Sequence, residues 1–254
     1  MRLAVDPSWI VAVLLVSIRL GALFGLTPVF AALQMPPMVR VWLLVGMSSS
    51  MLIGLGLPVS GIAWSPWTLM GACASELAVG ALMAFGLFCA FAVFQVAGKL
   101  LDLQIGFSIG SVFDPATRTQ MPLLGSMLHM LALALFFASD AHHLLLKGIA
   151  WSFHQVPPGS GLAELNFDAI VAQFGLMFVL GLVLVAPVVL VLLLMDIGLG
   201  MISRTMPQLN IFVIGIPTKI AVGFLMLWCS LMYLSPLMHR AFASIFQYWQ
   251  RLLG

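Results

Sequence analysis

Charge is what this sequence has least of. Lys, Arg, Asp and Glu make up 7% of its 254 residues, where an ordinary soluble domain carries roughly 25%. A chain this poor in charge cannot clothe its own surface in water, so lipid or other apolar protein has to cover it. Ten basic and eight acidic residues leave a formal net charge of +2 with no basic cluster, which excludes nucleic acid as a partner. Cysteine is scarce as well. Cys73, Cys89 and Cys229 each lie inside an apolar run, with no C-x-x-C pair and no histidine at ligand spacing, so they read as packing residues. The five histidines, His129, His142, His143, His154 and His239, form neither H-x-x-x-H nor H-x-x-E-H. No metal and no cofactor are expected.

What the chain has instead is apolar length: 63% of its residues are hydrophobic and the mean hydropathy is +1.17. A helix needs about 20 apolar residues to cross a bilayer core. Runs at Trp9–Leu33, Val41–Leu57, Leu69–Ala97, Leu123–Ala138, Phe167–Met195 and Ile220–Leu234 meet or approach that length. They predict an all-α membrane protein built from long helices and helical hairpins. Met1 to Pro7 has the outline of a signal peptide, with Val29-Phe30-Ala31 as a crude cleavage site, but Asp6 and Arg19 interrupt it and the segment reads as a retained first helix. Gly21 and Gly25 stand in G-x-x-x-G spacing, which lets another helix approach closely. Ser48-Ser49-Ser50 breaks the second run. Gly98 to Met121 mixes charge with bulky apolar residues and fits neither a spanning helix nor a solvated loop. Prolines bound Met206 to Pro217, and the end from Pro236 is amphipathic. If all six runs span, alternate loops hold four and five basic residues, so the positive-inside rule gives no orientation. That tie fits a protein placed by partner subunits.

Several constellations carry possible chemistry. Gly106-Phe107-Ser108-Ile109-Gly110 matches G-x-S-x-G, but a nucleophile elbow needs a strand before it and a helix after it, and no sheet is expected here. An intramembrane hydrolase using Ser108 is therefore a third-rank reading. Ionisable residues inside apolar runs cost about 2.5–3.5 kcal/mol each on insertion scales and invite a functional explanation. Arg19, Glu76, Lys99, Asp102, Asp196 and Lys219 qualify. They are scattered along the chain, which favours inter-helix or inter-subunit ion pairs. The alternative, a proton-coupled secondary transporter, needs Glu76, Lys99, Asp102 or Asp196 in one midplane cavity.

Two stretches carry a resemblance. Leu103-Gln104-Ile105-Gly106-Phe107-Ser108, followed by Phe113-Asp114-Pro115 and Met121-Pro122, resembles the central motif of the FliR family. Pro207-Gln208-Leu209-Asn210-Ile211-Phe212-Val213-Ile214-Gly215-Ile216-Pro217 is similar to the family's other hallmark. These are the R subunits of the bacterial flagellar export gate, related to a subunit of virulence type III secretion systems. The second stretch looks more flagellar than injectisome-like.

The resemblance implies a non-enzymatic, pore-forming subunit of a hetero-oligomeric gate in the bacterial inner membrane, at the flagellar basal body, with part of the assembly on the periplasmic side. The implied partners are several P and Q subunits, the autocleaving export-switch subunit, membrane lipid, and the unfolded flagellar proteins that pass through. The family's R subunit is pictured as a P-like part joined to a Q-like hairpin. That places residues 1–160 in the first and 161–254 in the second, hairpin and amphipathic tail together, divided near Pro157-Pro158-Gly159. By position, Ile105 to Arg118 matches the family's plug. Phe107, Ile109, Val112 and Phe113 would exclude water, Gly106 and Gly110 would let the backbone move aside, Ile105 and Ser108 complete the plug, and Asp114-Pro115 would fix the turn that follows. A hydrophobic constriction can close a pore by dewetting alone.

Overall fold

The computed structural model describes residues 7–28, 35–57, 65–107, 122–161, 166–206, 208 and 211–254. Among the described residues the regular structure is helical: α1 (Pro7–Gly25), α2 (Pro37–Leu55), α3 (Pro66–Ile105), α4 (Leu123–Ala138), α5 (Ala141–Gln155), α6 (Phe167–Thr205) and α7 (Ile211–Leu253). Prolines open α1, α2 and α3, at the position where a missing N–H costs nothing and the fixed φ suits a helix. Asn166 opens α6 by accepting the Asp168 N–H at 3.1 Å, the usual work of an N-cap. Gly56 closes α2 at φ 57, a left-handed C-terminal position that glycine takes without strain.

Five helices are long and apolar enough to cross a membrane, or six spans if α4 and α5 count together as one broken span. This is an all-α membrane protein. Helices α3, α6 and α7 hold 40, 39 and 43 residues. At 1.5 Å per residue each is about 60 Å long, roughly twice the hydrocarbon thickness of a bilayer.

Three helices are more continuous than their sequences suggest. The serine triplet does not break α2, because Ser48 and Ser49 turn their hydroxyls onto the Leu44 and Val45 carbonyls at 2.7 and 2.9 Å. Helix α3 runs through the charged stretch to Ile105, with Lys99 turned outward and Asp102 buried. Helix α7 passes through Pro217 and Pro236, so the hallmark stretch from Ile211 onward, the sixth apolar run and the amphipathic end belong to one element. Each proline removes one backbone hydrogen bond, and long membrane helices accommodate that when neighbours supply partners.

The chain divides into two compact units. Unit 1 comprises Met1–Cys89, Phe137–Gln173 and Ser244–Gly254; unit 2 comprises Ala90–Phe136 and Phe174–Ala243. In unit 1, α1 packs on α2 through Gly21, whose face meets Leu44, and Ser17 donates to the Ser48 hydroxyl at 2.9 Å. Gly25, by contrast, meets no neighbour among the described residues, so there only the first glycine of the G-x-x-x-G pair makes a close approach. The last turns of α7 are held firmly. Trp249 Nε1 donates to the Met83 carbonyl and the Tyr248 hydroxyl to the Leu82 carbonyl, both at 3.0 Å. Gly86 and Gly148 leave room for those rings, since a Cβ at Gly86 would strike Tyr248 and one at Gly148 would strike Trp249. Burial, with the Cys89 thiol adding to it, pushes the Tyr248 phenol well above its ordinary range, which keeps it a neutral donor.

Unit 2 is centred on a cluster of rings. Phe91, Phe136 and Phe242 lie with centroids 5.3–5.8 Å apart, the tilted and edge-on spacing aromatic pairs prefer.

Candidate functional site

The motif-bearing segment follows α3, which ends at Ile105, and precedes α4, which begins at Leu123. Its base is well defined. Ile105 is fully buried and fills the space beside Gly223 of α7, where an added Cβ would come within 2.7 Å of Ile105 Cδ1. Gly106 has φ 97, a conformation open to glycine and costly for other residues, and its N–H donates to the Asp102 carbonyl at 3.2 Å. It ends the helix rather than packing within one. Phe107 is half-buried, its ring edge-on to Phe224 at 6.0 Å. Ser108, Ile109, Gly110, Val112, Phe113, Asp114 and Pro115, the remaining expected plug and turn residues, lie outside the described residues.

Asp102 sits one turn before this exit and is buried. Its Oδ1 accepts the Leu124 N–H at 3.1 Å and its Oδ2 the Gly125 N–H at 3.3 Å. These are the second and third residues of α4, whose first-turn N–H groups have no partners within the helix. Pro122 stands at the N-cap position, with no side-chain acceptor to offer. The α3 carboxylate therefore does the capping from a distance, and its negative charge suits the positive end of the helix dipole. Close backbone approach makes this possible: a Cβ on Gly98 would run into the Gly125 and Leu124 backbone.

The other charged candidates have separate settings. Arg19 of α1 and Glu76 of α3 form an ion pair at 2.6 Å, with side chains 1% and 2% exposed. Arg19 also donates to the Ser152 and Val156 carbonyls at 3.3 and 2.9 Å, at the C-terminal end of α5. Its guanidinium carbon lies 4.5 Å from the Phe153 ring centroid, within cation–π range. The second Glu76 oxygen accepts the Gly159 N–H at 3.0 Å. Two helices and the end of a third are thus joined to the Pro157–Gly159 turn by one buried network. In unit 2, Lys219 of α7 pairs with Asp196 of α6, their side chains 22% and 43% exposed. Lys99 is exposed on α3 and has no ion pair among the described residues.

One further cluster gathers side chains that are neighbours in the sequence. Asp140, His142 and His143 offer ligand atoms within 4.8 Å of one another at the break before α5, where Asp140 has φ 55. Asp140 and His143 are largely exposed and lie 3.5 Å apart, a local surface contact rather than an enclosed coordination site.

Long apolar helices, closed by buried charge contacts and carrying a motif segment pinned at its base, define an integral membrane protein of helical-bundle type. Residues 10–245 match the family described as bacterial export proteins, family 1. The chain belongs to that family, and the FliR resemblance of its two motifs is borne out. It is 36% identical over 220 residues to the flagellar biosynthetic protein FliR of Bacillus subtilis (strain 168), covering 85% of this chain and 84% of that one. With the FliR protein of Escherichia coli (strain K12) it shares 30% identity over 240 residues, 94% and 91% of the two chains. The Yop proteins translocation protein T of Yersinia pestis is 30% identical over 164 residues, 63% of each.

Proposed function

We propose that this chain is the R subunit of a flagellar type III protein export gate, a non-enzymatic, pore-forming component of the bacterial inner membrane at the flagellar basal body. The observation that carries the reading is the family match across residues 10–245. The two flagellar relatives, aligned over most of their lengths, favour the flagellar over the virulence system. In this reading the chain assembles with several P and Q subunits and with the autocleaving export-switch subunit, partly on the periplasmic side, and unfolded flagellar proteins pass through the assembly. Residues 1–160 are the P-like part and residues 161–254 the Q-like hairpin and tail.

The segment from Ile105 to Arg118 closes the resting pore. Ile105 and Phe107 anchor its first residues against Gly223 and Phe224 of α7. Ile109, Val112 and Phe113 supply apolar bulk beyond, so water is excluded without a charged gate. The secondary-transporter alternative gains nothing from the carboxylates. Glu76 is engaged by Arg19 and Gly159, Asp102 by the first turn of α4, and Asp196 by Lys219.

The test is a gentle-detergent purification of the tagged chain from its native host, with mass spectrometry of the intact complex. P and Q subunits in excess over this chain are the expected result. A lone monomer or homodimer, recovered while those subunits are present in the same membranes, overturns the assignment. For the plug, replacing Phe107, Ile109, Val112 and Phe113 together by alanine should make membranes leaky to ions, and unchanged permeability removes that role.

A further inference from the structure

We propose that Asp102 is a positioning residue for export, a tether that sets the distance between the two ends of the segment running from Gly106 to Pro122. The inference rests on the reading of that segment as the closing element, but its grounds are separate. Both Asp102 oxygens are used, one on each of two successive N–H groups at the start of α4, and the carbonyl of the same residue holds the N–H of Gly106. The carbonyl contact is the last backbone bond of α3, so it is the Asp102 side chain that links the end of α3 to the start of α4.

The helix start could have been capped locally. A Ser, Thr, Asp or Asn at position 122 would satisfy the same donors. This chain has Pro122 there, which leaves the cap to a residue on another helix. A local cap stabilises α4 alone, whereas a cap from α3 stabilises α4 only when the two helices are in register. Gly98 and Gly125 supply the second half of the device, since their lack of side chains brings the α3 and α4 backbones into direct contact at the same level. Ile105, packed into the notch at Gly223, fixes the exit side. A change in the α3–α4 register is therefore felt at both ends of the segment together.

Capping and tethering can be separated by experiment. Three variants are placed in the host as the sole copy of the chain: Asp102→Ala, Asp102→Asn, and Asp102→Ala combined with Pro122→Ser, which restores a cap to α4 without restoring the link to α3. Ion permeability of the membranes and secretion of flagellar proteins are measured beside the level of assembled chain, with the four-alanine variant of Phe107, Ile109, Val112 and Phe113 as reference. Asp102→Ala should raise permeability several-fold. The double variant should recover the wild-type chain level yet remain leaky, and Asp102→Asn, which keeps a single acceptor oxygen, should fall between wild type and alanine.

A double variant that is both abundant and tight overturns the proposal, because capping alone then suffices. So does an abundant, tight Asp102→Ala variant, or the failure of all three to accumulate, which reduces Asp102 to a folding contact. If the four-alanine variant is tight while Asp102→Ala leaks, the plug side chains lose their role and the tether stands.

Discussion

Among the described residues two ion pairs join helices, and they differ in almost every respect that decides what an ion pair contributes. Arg19–Glu76 is shut away from its surroundings and is hydrogen-bonded further to the Ser152 and Val156 carbonyls and the Gly159 N–H. Asp196–Lys219 is partly open, and each side chain has the other as its charged partner. Desolvation makes a buried pair costly unless further hydrogen bonds offset it, and the first pair has three beyond its mutual contact. An open pair gains little because its surroundings compete with it. The comparison teaches that the charged residues of an apolar chain are not one category. One pair is a junction on which the local fold depends, the other a contact between neighbouring helices.

The largest effect should come from breaking the junction on one side. Glu76→Ala strands the Arg19 guanidinium in a buried site, a change that costs about 3–5 kcal/mol in comparable settings. The expected outcome is a chain that fails to accumulate in membranes or melts far below the wild type. Wild-type thermal stability after extraction would remove the distinction between the pairs.

Replacing both partners, as Arg19→Met with Glu76→Leu, sharpens the comparison. No charge is left stranded, so the double variant should recover part of the loss. It should stay below wild type, because the Gly159 N–H and the α5 carbonyls lose their partners, each worth about 1–3 kcal/mol when left buried and unmet. Full recovery in the same melting assay would mean that those backbone contacts contribute nothing.

The smallest effect belongs to Lys219→Met, where a cost of about 1 kcal/mol or less is expected. A loss as large as that of Glu76→Ala would show that Asp196 and Lys219 lie where no water reaches, and the two pairs would become one kind.

The membrane character, the helical class and the family were all legible in the sequence, because apolar runs and two separated motifs are local signals. Helix ends were less so. Lys99 and Asp102 were read as the loss of a helix, and Pro217 and Pro236 as boundaries, yet α3 and α7 continue through them. What permits continuation lies elsewhere in the chain: the donors that satisfy Asp102 come from residues 22 and 23 positions away, and no window of sequence displays them.

The charged residues were identified as special without their partners, for the same reason. Arg19 meets Glu76 across 57 positions and the Val156 carbonyl across 137. Glycine spacing misled in a different way. Gly25 completes a packing motif but meets nothing among the described residues, whereas Gly98 and Gly125, with no motif to mark them, bring two backbones together. The apolar bulk expected from Ile109 to Phe113 is legible in sequence alone, since those residues lie outside the described structure.

The seating of Tyr248 and Trp249 on the Leu82 and Met83 carbonyls has a consequence for how the chain is made. Those contacts span 166 positions, so α3 cannot complete its packing at Leu82 and Met83 until residues 248 and 249 have been synthesised. At about 5–20 residues per second, the hollows at Gly86 and Gly148 stand open for on the order of ten seconds in every newborn molecule. A chain that terminates before residue 248 never fills them. Completion of unit 1 therefore waits for residues 248 and 249, and a product ended before them keeps an uncovered surface at Gly86 and Gly148.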